Sequence, residues 1–78
     1  MMKKIQILGT GCTKCRKLAE NTVEAAEKLG IDYELEKVTD INDITAFGIM
    51  STPGLAVDGK VVSAGKLLKP DQIAKLIA

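Results

Sequence analysis

Tryptophan and histidine are missing from this chain of 78 residues, and Tyr33 and Phe47 are its only aromatic residues. Without histidine there is no imidazole to shuttle protons or bind a metal. With two cysteines as the only thiols, a four-ligand structural zinc site is not expected. Eleven basic residues nearly balance ten acidic ones, and there is no basic stripe or aromatic platform, so nucleic acid is not an expected partner. Long apolar runs are also absent. Lys3 and Lys4 precede Ile5 to Leu8, but that segment is interrupted by Gln6 and followed by glycines, too short for a signal core. A cytoplasmic protein with no membrane segment is expected. Gly9 and Gly11 look like fragments of a phosphate loop, yet no GxGxxG or Walker pattern follows, which argues against nucleotide.

What is present is aliphatic. Apolar residues make up 46% of the chain and are mainly Ile, Leu, Val and Ala. At this size one hydrophobic core only just outweighs the lost chain entropy. Residues 1–78 are therefore read as a single domain in which every element contributes to that core.

Lys3 to Leu8 alternates weakly and predicts a strand ending at Gly9-Thr10-Gly11. From Thr13 to Leu29, Cys15, Leu18, Ala19, Thr22, Val23, Ala26 and Leu29 recur at helical spacing, Glu24 and Lys28 form a supporting pair, and Gly30 supplies the stop. Ile31 to Val38 predicts a second strand, parallel to the first through the helical crossover. Asp40 caps a short helix running to about Phe47. Leu55-Ala56-Val57 and Val61-Val62 flank Asp58-Gly59, a tight hairpin signal. Pro70 opens a last helix with Ile73, Ala74, Leu76 and Ile77 on one side. The order βαβαββα implies an α/β fold, a four-stranded mixed sheet with helices on both faces.

Cys12-Thr13-Lys14-Cys15 stands where the first strand hands over to the first helix, and in a reducing cytosol such a pair is more often catalytic or metal-binding than a staple. A cysteine at a helix N-terminus meets unpaired N–H groups and the positive end of the dipole, which favour thiolate. Cys12 is thus expected to be the nucleophile, with Lys14 and Arg16 adding weak positive charge. Residues three apart on a helix have Cβ atoms roughly 5–6 Å apart, near the span of a disulfide. Cys15, on the apolar stripe and less accessible, is expected to resolve the adduct. Ser51-Thr52-Pro53-Gly54 puts a proline at the entrance of the third strand. Beside a cysteine pair this favours a cis bond whose neighbouring backbone pairs with an extended substrate segment.

On these motifs the chain resembles the thioredoxin and glutaredoxin superfamily, most closely its very small archaeal and bacterial members often labelled redox-active disulfide proteins. The likeness covers nearly the whole length. It rests on Gly11-Cys12-Thr13-Lys14-Cys15, on Ser51-Thr52-Pro53-Gly54, and on Val62-Ser63-Ala64-Gly65 followed by Leu67, Leu68 and Gln72-Ile73. The resemblance implies a minimal thioredoxin fold. It further implies a cis Pro53 packed against a Cys12–Cys15 disulfide, and a Gly65 that joins Thr52 and Pro53 in the substrate-docking surface. It implies protein disulfide oxidoreductase activity by a monomer, with protein disulfides as substrates and no cofactor beyond the redox-active disulfide. Gly11 replaces the tryptophan that usually precedes the pair in thioredoxins, and Gln6 stands at the spacing of their buried acid. Thr13-Lys14 matches neither Gly-Pro nor the Pro-Tyr of many glutaredoxins. The reductant is therefore left open between a thioredoxin-reductase-type enzyme and glutathione.

Two other functions share this opening. A Cu(I) carrier also sets Cys-X-X-Cys between a first strand and helix, although that fold ends in a strand and this chain ends in an amphipathic helix. A redox-inactive binding module would keep the fold without turnover.

Overall fold

The computed structural model describes residues 3–11 and 13–78, and Cys12 lies outside the described residues. β1 (Lys3–Leu8) runs through the interior of a sheet, between β2 (Tyr33–Val38) and β3 (Gly54–Val57), with β4 (Lys60–Ala64) beyond β3, in the order β2-β1-β3-β4. Its weak alternation has a structural reason. Helices cover both faces of this strand, so Ile5, Gln6, Ile7 and Leu8 are all buried.

α1 (Thr13–Leu29) carries the chain over to β2 (Tyr33–Val38), which pairs parallel with β1 from Lys3↔Tyr33 to Leu8↔Val38. The helix stops in a Schellman arrangement. Gly30, at φ +66°, donates to Glu27 O, and Ile31 N–H donates to Ala26 O. Because the Ile31 N–H closes the helix, β2 starts at Tyr33 rather than at Ile31, and the Ile31 side chain joins the core from outside the strand.

The buried side of α1 is also displaced from the expected stripe. Ala25 is fully buried, Val23 is half-buried, and Leu29 is exposed. Among the described residues no Glu24–Lys28 ion pair forms. Lys28 Nζ stands 3.8 Å from Asp71 Oδ1 at the start of α3 (Pro70–Ile77) instead, and both side chains are mostly in water. Such a pair contributes little to stability.

α2 (Ile41–Ala46) is capped by Asp40, whose Oδ1 accepts from the Asn42 N–H at 2.8 Å; Phe47 closes its C-terminus. β3 (Gly54–Val57) pairs antiparallel with β1 and with β4 (Lys60–Ala64). Asp58 and Gly59, at φ +52° and +85°, make the two-residue turn between them. The turn is tied to the sheet twice, since the Asp58 N–H donates to Lys4 O and the Lys4 N–H donates to Asp58 Oδ1.

α3 (Pro70–Ile77) begins where Gln72 Oε1 accepts from the Lys69 N–H, with Pro70 needing no partner in the first turn. On one face of the sheet α1 and α3 bury Ile5, Ile7, Leu18, Leu55, Ile73 and Ile77. On the other, α2 and the segment after it cover Leu8, Val38, Ala56, Ile44 and Ile49. Among the described residues no helix is long and apolar enough to cross a membrane.

Candidate functional site

The carboxyl ends of β1 and β2 lie at one end of the sheet, the place where open α/β sheets bind ligands. Cys15 sits there in the first turns of α1, buried at 4% exposure. Its neighbour on the sheet is Gly9, the residue after β1. A Cβ built on Gly9 would lie 2.3 Å from Cys15 Sγ and 4.0 Å from Pro53 Cα. One glycine therefore separates the Cys15 sulfur from Pro53, although the two residues are 38 positions apart in the chain.

The Thr52–Pro53 peptide bond is cis. Pro53 is fully buried, whereas Thr52 is exposed. The Gly65 N–H donates to Pro53 O at 2.8 Å. Gly65 needs to be glycine for two reasons: its φ is +73°, and a Cβ there would come within 2.8 Å of Ser51 Cβ. The loop after β4 is thereby held against the segment before β3. Cys15, Pro53, Thr52 and Gly65 form one constellation. Lys14 is exposed in the first turn of α1, and Cys12 lies outside the described residues, flanked in the chain by Gly11 and Thr13.

Two recesses flank this constellation. A small one of about 90 Å³ is walled by Ile7, Gly9 and Cys15, with Arg16, Lys37 and Thr39 at its mouth. A wider one of about 380 Å³ lies on the α2 side, between Thr10, Thr52, Ile41 and Met50. Ile41 and Met50 are 67% and 102% exposed, so the surface next to Thr52 is apolar and open to water. Gln6 lies on this α2 side of β1 with its amide satisfied, since Nε2 donates to Glu36 Oε1 at 2.9 Å. Glu36 in turn stands 3.8 Å from Lys4 Nζ at the surface. Among the described residues no group of three metal-ligating side chains converges.

Sequence reasoning placed Cys15, Thr52, Pro53 and Gly65 in the site but passed over Gly9, Ser51, Ile41 and Met50. In the sequence Gly9 reads as a loop residue and as a fragment of an incomplete phosphate loop, not as a contact. Nothing in a sequence separates a glycine needed for backbone angles from one needed for contact. Met50 carried no signal either, because a lone apolar residue before a turn is ordinary surface.

A sequence model of the thioredoxin domain matches residues 3–78. A protein named thioredoxin from Methanothermobacter thermautotrophicus is 43% identical over 77 residues, which take in 99% of this chain and 100% of that one. Another protein named thioredoxin, from Methanocaldococcus jannaschii, is 45% identical over 73 residues, covering 94% and 84% of the two chains. With a four-stranded mixed sheet and three helices among the described residues, and with this match from β1 to the C-terminus, the chain belongs to the thioredoxin domain family.

Proposed function

We propose that this protein is a thiol–disulfide oxidoreductase that reduces or exchanges protein disulfides through Cys12 and Cys15. The observation that carries it is the meeting of Cys15 Sγ, Gly9 and Pro53 at the carboxyl end of β1, with Gly65 hydrogen-bonded to Pro53 O. The two relatives named thioredoxin support the same chemistry.

In the first step the Cys12 thiolate attacks one sulfur of a substrate disulfide. A Cys12–substrate bond forms, the substrate S–S bond breaks, and the other substrate sulfur leaves as a thiolate that takes a proton. Cys15, deprotonated, then attacks the Cys12 sulfur. The Cys12–Cys15 bond forms, the mixed disulfide breaks, and the second substrate sulfur leaves as a thiolate. Two electrons pass from the dithiol to the substrate. Lys14 and Arg16 add positive charge beside the first turn of α1, which favours thiolate over thiol. Thr52, exposed beside the buried Pro53, offers backbone groups to an extended substrate segment, and Gly65 leaves the approach clear of a side chain. An external thiol system returns the disulfide to dithiol, either a thioredoxin-reductase-type enzyme or glutathione. The protein works in the cytoplasm as a monomer and needs no cofactor beyond its own disulfide.

Insulin reduction in the presence of dithiothreitol tests this. Wild-type protein should accelerate precipitation of the insulin B chain, Cys12→Ser should lose that acceleration, and reduced Cys15→Ser mixed with insulin after dithiothreitol is removed should stall with substrate bound through Cys12. Exchange that survives Cys12→Ser would refute the assignment.

A further inference from the structure

Among the seven glycines, Gly9 is the one whose missing side chain is replaced by a sulfur atom. Gly11, Gly30, Gly48 and Gly59 have positive φ and open space where a Cβ would stand; Gly54 faces Ile49 and Leu8, and Gly65 faces Ser51. Gly9 differs from the first group in its backbone as well. Its φ lies outside the left-handed region, so alanine can adopt its conformation, and what the position refuses is volume. The backbone there has little freedom to retreat. Gly9 is buried, and its N–H donates to Val38 O at 2.9 Å, adding one rung to the β1–β2 ladder. A Cβ would meet Cys15 Sγ at 2.3 Å and Cys15 Cβ at 3.2 Å, inside the ~3.5–4.0 Å at which carbon atoms rest in contact.

We infer that Gly9 is a positioning residue for disulfide exchange: its bare backbone forms the niche that holds the Cys15 sulfur beside Pro53 and sets the line along which that sulfur attacks. The inference rests on the exchange mechanism above. Cys15 has its Cα fixed by α1, so a methyl group at position 9 leaves χ1 as the main freedom, and the sulfur must leave the niche for another staggered well. The fold tolerates that rotation better than the chemistry does, because a misplacement of about 1 Å can slow a reaction on the order of a hundredfold. The first attack belongs to Cys12 and is spared. The affected step is the second one, in which the Cys15–Cys12 bond forms and the Cys12–substrate bond breaks.

The test follows a mixed disulfide between the protein and a peptide disulfide by acid quench and mass spectrometry, in wild type, Gly9→Ala and Cys15→Ser. Gly9→Ala should form the mixed disulfide at the wild-type rate and release it roughly 10- to 100-fold more slowly, accumulating the adduct as Cys15→Ser does. Urea unfolding gives an independent reading. Gly9→Ala should lower the midpoint in the presence of Cys15 and lower it less in a Cys15→Ala background, where the sulfur is gone. Release by Gly9→Ala within about twofold of wild type, below one RT of barrier, would overturn the inference, as would an equal loss of stability in both backgrounds. A wild-type protein that forms no mixed disulfide would overturn the exchange mechanism itself, and that failure is distinguishable because it appears without any substitution.

Discussion

The two faces of the sheet are covered unequally. Over one, α1 and α3 bury six large aliphatic side chains, from Ile5 and Ile7 of the central strand to Ile73 and Ile77 of the last helix. Over the other, α2 and the segment after it cover Leu8, Val38 and Ala56 with Ile44 and Ile49, and they leave Ile41 and Met50 in water beside Thr52. The difference shows how so short a chain divides its apolar residues. The thick face buries the larger set of aliphatic side chains, and the thin face keeps Ile41 and Met50 uncovered beside Thr52.

Substitutions that remove the same kind of side chain from each face would sharpen or break this contrast. Leu18→Ala, on the thick face at 0% exposure, should cost about 3–5 kcal/mol, read as a lower urea midpoint with an unchanged slope. Ile44→Ala, on the thin face at 4% exposure, should cost about 2 kcal/mol, because a short helix at the edge of the core can relax into the space. Equal losses at the two positions would mean that the faces share the stability evenly.

Smaller effects follow at the start of α2 and in the segment after it. Asp40→Ala removes the acceptor for the Asn42 N–H and should lower stability by about 1 kcal/mol, or about 4–8 °C in Tm for a domain of this size. Met50→Ser should leave the urea midpoint within about 0.5 kcal/mol of wild type, since Met50 touches water on all sides. It should raise the KM for insulin several-fold without lowering kcat, an effect on uniform binding. A Met50→Ser protein with an unchanged KM would show that the apolar surface beside Thr52 does not receive substrate.

Most of the fold was legible because its elements obey local rules. The 3.6-residue recurrence from Cys15 to Ala26, the Asp58-Gly59 turn and Pro70 each mark an element by backbone chemistry alone. The errors fall where a distant element intervenes. Ala25 is buried because α3 packs against α1, and Lys28 turns to Asp71 rather than to Glu24 for the same reason. The expected strand start at Ile31 failed locally, because the helix stop claimed its N–H. In the site, Cys15 and the Thr52-Pro53 pair stood out as residue types with recognisable chemistry, and Gly65 entered through the family resemblance. Gly9 and Met50 did not, since their importance comes from what lies opposite them.

The chain by itself determined the order of elements, the aliphatic character of the core and the two-residue spacing of the cysteines along the sequence, because each depends on residues within a few positions of one another. Tertiary structure alone decided that the Cys15 sulfur, Gly9, Pro53 and Gly65 share one small volume. That meeting requires β3 to run antiparallel beside β1. The pairing of distant strands is set by the packing of both sheet faces together, which no local stretch of sequence contains.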